Sequence, residues 1–168
     1  MPVALHQYGR EDGPGLRQLL LDIHDDCYAG EEDPFHARER FTWFVDHWSS
    51  REGWCCVIGY DGDEPTGFAY GAPLQKNGWW RGIDGLTGQD TWEDGTRTFA
   101  VSEIMVRPAW RGQGQAGRMH GALLADRREQ RATLLADSSH VKTLNLYRSW
   151  GYVPLGEMRP ADDAPSRH

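Results

Sequence analysis

The chain has 168 residues, 39% of them hydrophobic and 26% charged, with a formal net charge of −7. This length supports a single domain with a real core, and the acidic balance argues against a nucleic-acid partner, which would need a basic stripe. No apolar run approaches the ~20 residues of a membrane span, and Cys27, Cys55 and Cys56, odd in number with two adjacent, argue against a disulfide framework and for a reducing, cytoplasmic setting.

The N-terminal MPVALHQYGREDG lacks the basic and apolar regions of a secretory signal. Residues 3–8 alternate apolar and polar and predict a strand. Gly13-Pro14 opens a helix over 16–28, with Leu16, Leu19, Leu20 and Ile23 at helical spacing. Asp33-Pro34 caps a second helix, 35–48, whose Phe41, Phe44, Val45 and Trp48 share a face. Residues 54–60 and 66–72 are strands joined by the hairpin signal Asp61-Gly62-Asp63. Residues 73–97, rich in Gly, Asp, Thr and Trp, form a long loop, a feature that is usually functional. TFAVSEIMV (98–106) is the most apolar strand. A helix over 116–131, a short strand over 132–137, a helix over 141–150 closed by Gly151 and a last strand over 152–158 complete the chain. The polar end, 159–168, reads as a disordered tail after a single domain, 1–158. The expected fold is α/β: a mixed, twisted, partly splayed sheet of about six strands with helices on both faces.

Arg111-Gly112-Gln113-Gly114-Gln115-Ala116-Gly117 lies between the strand ending at Val106 and the next helix. Its glycines permit a tight turn and close ligand approach. The unpaired N–H groups and positive dipole end of the helix start make an anion site, to which Arg111 can add a charged hydrogen bond. No P-loop pattern is present, and the loop follows the fourth strand rather than opening the fold, unlike a dinucleotide site.

This segment resembles the central motif of the GNAT N-acetyltransferase superfamily, R/Q-x-x-G-x-G/A after a long strand. Downstream, Leu146-Tyr147-Arg148-Ser149-Trp150-Gly151-Tyr152 is similar to a second motif of that family. The resemblance implies that acetyl-CoA binds in a cleft between splayed strands. The N–H groups of Gln113, Gly114, Gln115, Ala116 and Gly117 would hold its pyrophosphate, and the backbone of Met105 and Val106 would pair with the pantetheine arm. It implies Glu103 as the base that deprotonates the acceptor amine and Tyr147 as the acid that protonates the leaving thiolate. A glutamate in so apolar a strand is itself unusual. The family commonly carries a seventh strand, and the ten residues after 158 are too polar for one. The sheet edge then stays open, or a second copy of the chain covers it as a homodimer. His140 stands where many members have Asn.

The expected activity is acetyl transfer from acetyl-CoA to a primary amine of a small molecule. The alternatives are a non-catalytic acyl-CoA sensor of the same fold, or acetylation of a protein amine. Trp79, Trp80, Asp84 and Trp92 in the 73–97 loop combine aromatic faces and carboxylates suited to an organic cation. Asp90, Glu93 and Asp94 in that loop, and Glu31, Glu32 and Asp33 before the second helix, add further acids. His6, His24, His36, His47 and His120 form no metal-binding pattern, so no metal is expected. Cys55 and Cys56 read as small core residues.

Overall fold

The computed structural model describes residues 3–30, 34–75, 80, 83, 85–136 and 140–155. Strands β1 (Ala4–Gly9), β2 (Cys55–Asp61), β3 (Glu64–Pro73), β4 (Thr98–Val106) and β5 (Arg131–Leu134) follow one another in an open, mixed sheet. The helices are α1 (Gly13–Cys27), α2 (Pro34–Ser49), the short α3 (Gly88–Thr91), α4 (Gln115–Leu124) and α5 (Val141–Ser149). The chain gathers into two compact units, Met1–Ala72 with Val101–Arg127, and Pro73–Ala100 with Arg128–His168. Among the described residues, no helix is long and apolar enough to cross a membrane.

In the first unit, β1, β2 and β3 pair antiparallel. Cys56, Val57 and Ile58 are consecutive and fully buried. Successive strand residues point to opposite faces, so both faces of β2 are covered. The register Gln7–Val57–Ala69 puts these three on one face, where the Gln7 amide donates to the carbonyl of Ala122 in α4 at 2.7 Å. Phe68 points to the other face and meets Phe41 of α2 with ring centroids 6.0 Å apart. Leu20 and Ile23 of α1 are buried, as is Val45 of α2, and Met119 and Leu123 are buried on α4.

The pairing between α1 and α2 includes a buried histidine. His24 is 5% exposed and its ring lies between Tyr28 at 4.4 Å and Phe41 at 4.2 Å. Among the described residues its Nδ1 has no hydrogen-bond partner. Burial pushes its pKa below the ordinary 6.5, and the charge of Asp25 opposes this while that of Arg38 adds to it. Asp25 and Arg38 are themselves ion-paired. The unfolded chain therefore takes up this proton first, and stability present above the ordinary histidine value is lost as pH falls through it. The urea midpoint is expected to drop between about pH 7.5 and about pH 5, and less so in His24→Phe. Exposed His47 and buried His120 are shifted the same way, so the variant should flatten the profile only in part.

In the second unit, the amides of Gln130 and Arg131 both donate to the carbonyl of Arg97, at 2.9 and 3.3 Å. The starts of β4 and β5 thus lie side by side, as parallel pairing across the α4 crossover requires.

Three expected elements differ. The helix expected over 116–131 ends at Leu124. The amide of Arg127 closes a tight turn on the carbonyl of Leu124, and Arg131 is drawn into β5. The strand expected over 132–137 begins at Arg131 and ends at Leu134. The last expected strand is not formed at 152–155: Pro154 has no N–H for a ladder, and Val153 is 75% exposed. Residues 156–158, like the expected tail, lie outside the described residues. Among the described residues the sheet has five strands.

Candidate functional site

β4 leaves the first unit's sheet through a well-anchored turn. The Arg107 guanidinium donates to Asp26 at 2.7 Å, Glu64 at 2.8 Å and the carbonyl of Pro65 at 2.9 Å. The Trp110 indole N–H donates to Asp61 at 3.1 Å. The turn Pro108–Trp110 is thereby tied to α1 and to the β2–β3 hairpin, contacts 42 to 81 residues away in sequence that no local pattern signals.

The glycine loop follows. Gly112 and Gly114 have φ of +79° and +74°, a region where a side chain strains the backbone. A Cβ at either position would meet no described residue within 4 Å. The loop therefore demands glycine for its backbone and presents open space above it. Gly114 caps α4 with no side-chain hydrogen bond. The first helical amide with an intrahelical acceptor is that of Arg118, 3.2 Å from the carbonyl of Gly114. The amides of Gln115, Ala116 and Gly117 precede it, at the positive end of the helix dipole. The Gln115 side chain is buried and accepts from Thr66 Oγ1 at 2.8 Å, which pins the start of α4 to β3.

Met105 and Val106 lie beside this loop in the same unit. A Cβ at Gly67 would stand 2.2 Å from the carbonyl oxygen of Met105 and 3.0 Å from Cα of Val106, so β3 approaches β4 more closely than any side chain would permit. The carbonyl of Val106 accepts from Arg111 Nε at 2.9 Å and from the Cys27 thiol at 3.5 Å. Burial raises the Cys27 pKa, as it does for Cys55 and Cys56, which keeps all three as thiols rather than nucleophilic thiolates.

Glu103 is half-buried in β4 between Val101 and Met105, its neighbours on the same face. It lies near Tyr70, whose phenol is pushed well above its ordinary pKa by burial and then by the Glu103 charge.

Tyr147 belongs to the second unit. It is half-buried on α5, its ring 5.5 Å from Trp150 and 6.3 Å from Tyr152. It lines a cavity of about 390 Å³ together with Trp80, Arg131, Leu134, Leu144 and Val153. Of the residues expected to bind substrate, Trp79 and Asp84 lie outside the described residues, as do Glu31, Glu32 and Asp33. Trp80 and Trp92 carry the protein's own cations. The Arg131 guanidinium sits 4.9 Å from the Trp80 ring and that of Arg97 sits 5.7 Å from the Trp92 ring.

The acids of this loop are also engaged. Asp90 and Asp94 close turns on Thr87 and Thr96. Glu93, its side chain 2% exposed, accepts on one oxygen from Trp80 Nε1, Thr98 Oγ1 and Arg131 Nη2, each at 2.9 Å. Arg131 Nε donates to Thr98 at 2.7 Å. Sequence reasoning missed Arg131 altogether and treated Glu93 as one acid among several, because the pair is 38 residues apart.

The sequence finds no match among curated proteins. Its fold is similar to several solved structures. An AAC(6')-Iy structure, in complex with the bisubstrate analogue CoA-S-monomethyl-acetylneamine, aligns over 97% of this chain and 99% of its own, at 11% identity and TM-score 0.62. The ribosomal-protein-alanine N-acetyltransferase from Brucella melitensis biovar Abortus 2308 aligns over 95% and 98%, at 17% identity and TM-score 0.56. PH1933 from Pyrococcus horikoshii OT3 aligns over 99% and 96%, at 16% identity and TM-score 0.64. The sequence model of the Acetyltransferase (GNAT) family matches residues 17–152, a span that takes in both the glycine loop and Tyr147, and the chain belongs to that family.

Proposed function

We propose that this protein transfers an acetyl group from acetyl-CoA directly to the amine of a small molecule within a ternary complex. The observation that carries this reading is the loop at 111–117: two glycines of positive φ deliver the chain to a helix start that has no side-chain cap. Such a start binds phosphate through main-chain amides. Amides at Gln113 to Gly117 hold the pyrophosphate, and Arg111 and the end of β4 flank it. Acetyl-CoA supplies the activated thioester. Glu103 takes a proton from the acceptor ammonium, directly or through a water. The amine lone pair forms the new C–N bond, the C–S bond breaks, the departing thiolate takes the Tyr147 phenolic proton, and the second proton lost by the nitrogen restores that phenol. A phenol, with an ordinary pKa near ~10, holds that proton at neutral pH.

The test is calorimetry with acetyl-CoA, paired with a thiol-release assay over a panel of amines. In Gly114→Val the left-handed backbone costs roughly 1–2 kcal/mol, and acetyl-CoA affinity is expected to fall about tenfold. Unchanged affinity would remove the loop from the binding site. Tight binding with no thiol released on any amine would identify a sensor instead.

A further inference from the structure

The cavity beside Tyr147 has a composition that selects among acceptors. Its walls are mainly apolar, from Leu134 and Ala136 at the β5 end, Leu144 on α5, and Val153 and Leu155 beyond it, with Trp80 closing one side. The charged residues lining it are Arg131 and Arg148, and no carboxylate lines it among the described residues. Glu93 is buried behind Trp80 and Arg131, not in the lining. Arg131 spends Nε and Nη2 on Thr98, Glu93 and the carbonyl of Asp90. Its Nη1 makes no hydrogen bond to any described residue. Among the described residues, Arg148 Nη1 makes one long bond, 3.4 Å, to Asn145.

A polycation placed here would meet two guanidinium groups and an apolar wall, with no counter-charge among the described residues. A molecule with an apolar body and a carboxylate meets the reverse: surface to bury and donors for its anion. A volume of about 390 Å³ falls within the range of small-ligand pockets, roughly 300–1,000 Å³.

We propose that the acceptor is an apolar or aromatic α-amino acid, its side chain in this cavity and its carboxylate on Arg131 and Arg148. This rests on the acyl-transfer reading, since Tyr147 is what ties the cavity to the chemistry. The products are then the N-acetyl amino acid and free CoA. The amino nitrogen gains the acetyl carbon and loses two protons, one to the base before attack and one that restores the Tyr147 phenol after it has protonated the thiolate.

The experiment compares leucine, phenylalanine and tryptophan with their decarboxylated amines and with an aminoglycoside, using acetyl-CoA and the whole chain, and reads thiol release. The amino acids are expected to show kcat/KM about tenfold or more above their decarboxylated partners, the worth of one charged hydrogen bond. The aminoglycoside is expected to release none. Equal rates with the decarboxylated amines, or a preference for the aminoglycoside, overturn the proposal.

A second measurement separates the two layers of the argument. Thermal stabilisation by N-acetylphenylalanine, lost in Leu144→Asp, without thiol release on any acceptor, keeps the ligand class and defeats the acyl-transfer reading. Neither stabilisation nor release defeats both. If sedimentation shows a dimer that Leu144→Asp dissociates, and the ligand produces no stabilisation, the cavity is a contact between two copies and the proposal fails.

Discussion

Tyr147→Phe is expected to lower kcat about 100-fold, the lower end of what a positioned acid contributes, while acetyl-CoA affinity stays within about twofold. The substitution removes one hydroxyl and keeps the ring that packs on Trp150 and Tyr152. Its effect on folding should therefore be small. Stopped-flow detection of the released thiol, with calorimetry on the same samples, makes the comparison. The loss should be greatest with a poor leaving thiolate and should shrink when a more acidic thioester replaces acetyl-CoA, because a stable thiolate departs without an acid. An unchanged kcat would take the acid role from Tyr147. An equal fall in affinity would make it a binding residue instead.

The largest effect on stability is expected at Glu93. Glu93→Ala leaves the Arg131 guanidinium, 29% exposed on its own side chain, without the carboxylate it faces at 2.9 Å. It also strips acceptors from Trp80 Nε1 and Thr98 Oγ1. Breaking a buried ion pair on one side costs about 3 kcal/mol, which for a chain of this size lowers Tm by roughly 6–12 °C. Glu93→Gln keeps an acceptor oxygen and should recover about half of that loss. Differential scanning calorimetry on the three proteins checks both values. Because Glu93 holds Trp80 and Arg131 together, the alanine variant should also raise KM for the acceptor while leaving that for acetyl-CoA near its original value. A merely structural role would not separate the two constants.

The parts legible in the sequence were those governed by local rules. The nine residues of β4 are the predicted TFAVSEIMV without displacement, because an unbroken apolar run between polar segments admits few other arrangements. The β2–β3 hairpin followed from Asp61-Gly62-Asp63. The glycine loop was legible because positive φ at Gly112 and Gly114 is a demand that few residues besides glycine meet. What was illegible depends on distant partners. Helical periodicity carried α4 seven residues too far, since nothing local reveals that Arg131 is claimed by Arg97, Thr98 and Glu93. The ring contacts of Trp80 and Trp92 were illegible for the same reason. Composition shows that tryptophans and acids are present, but not that Arg131 and Arg97 already lie over those rings.

The anchoring of the turn before the glycine loop has a thermodynamic consequence. Arg107 and Trp110 clamp that turn to α1 and to both ends of the β2–β3 connection, so its ordering is completed when the chain folds rather than when a ligand arrives. Association at the loop then carries little of the entropy loss that accompanies the freezing of a mobile segment. Amide exchange across 107–112 should accordingly be slow already in the free protein and change little on saturation with acetyl-CoA.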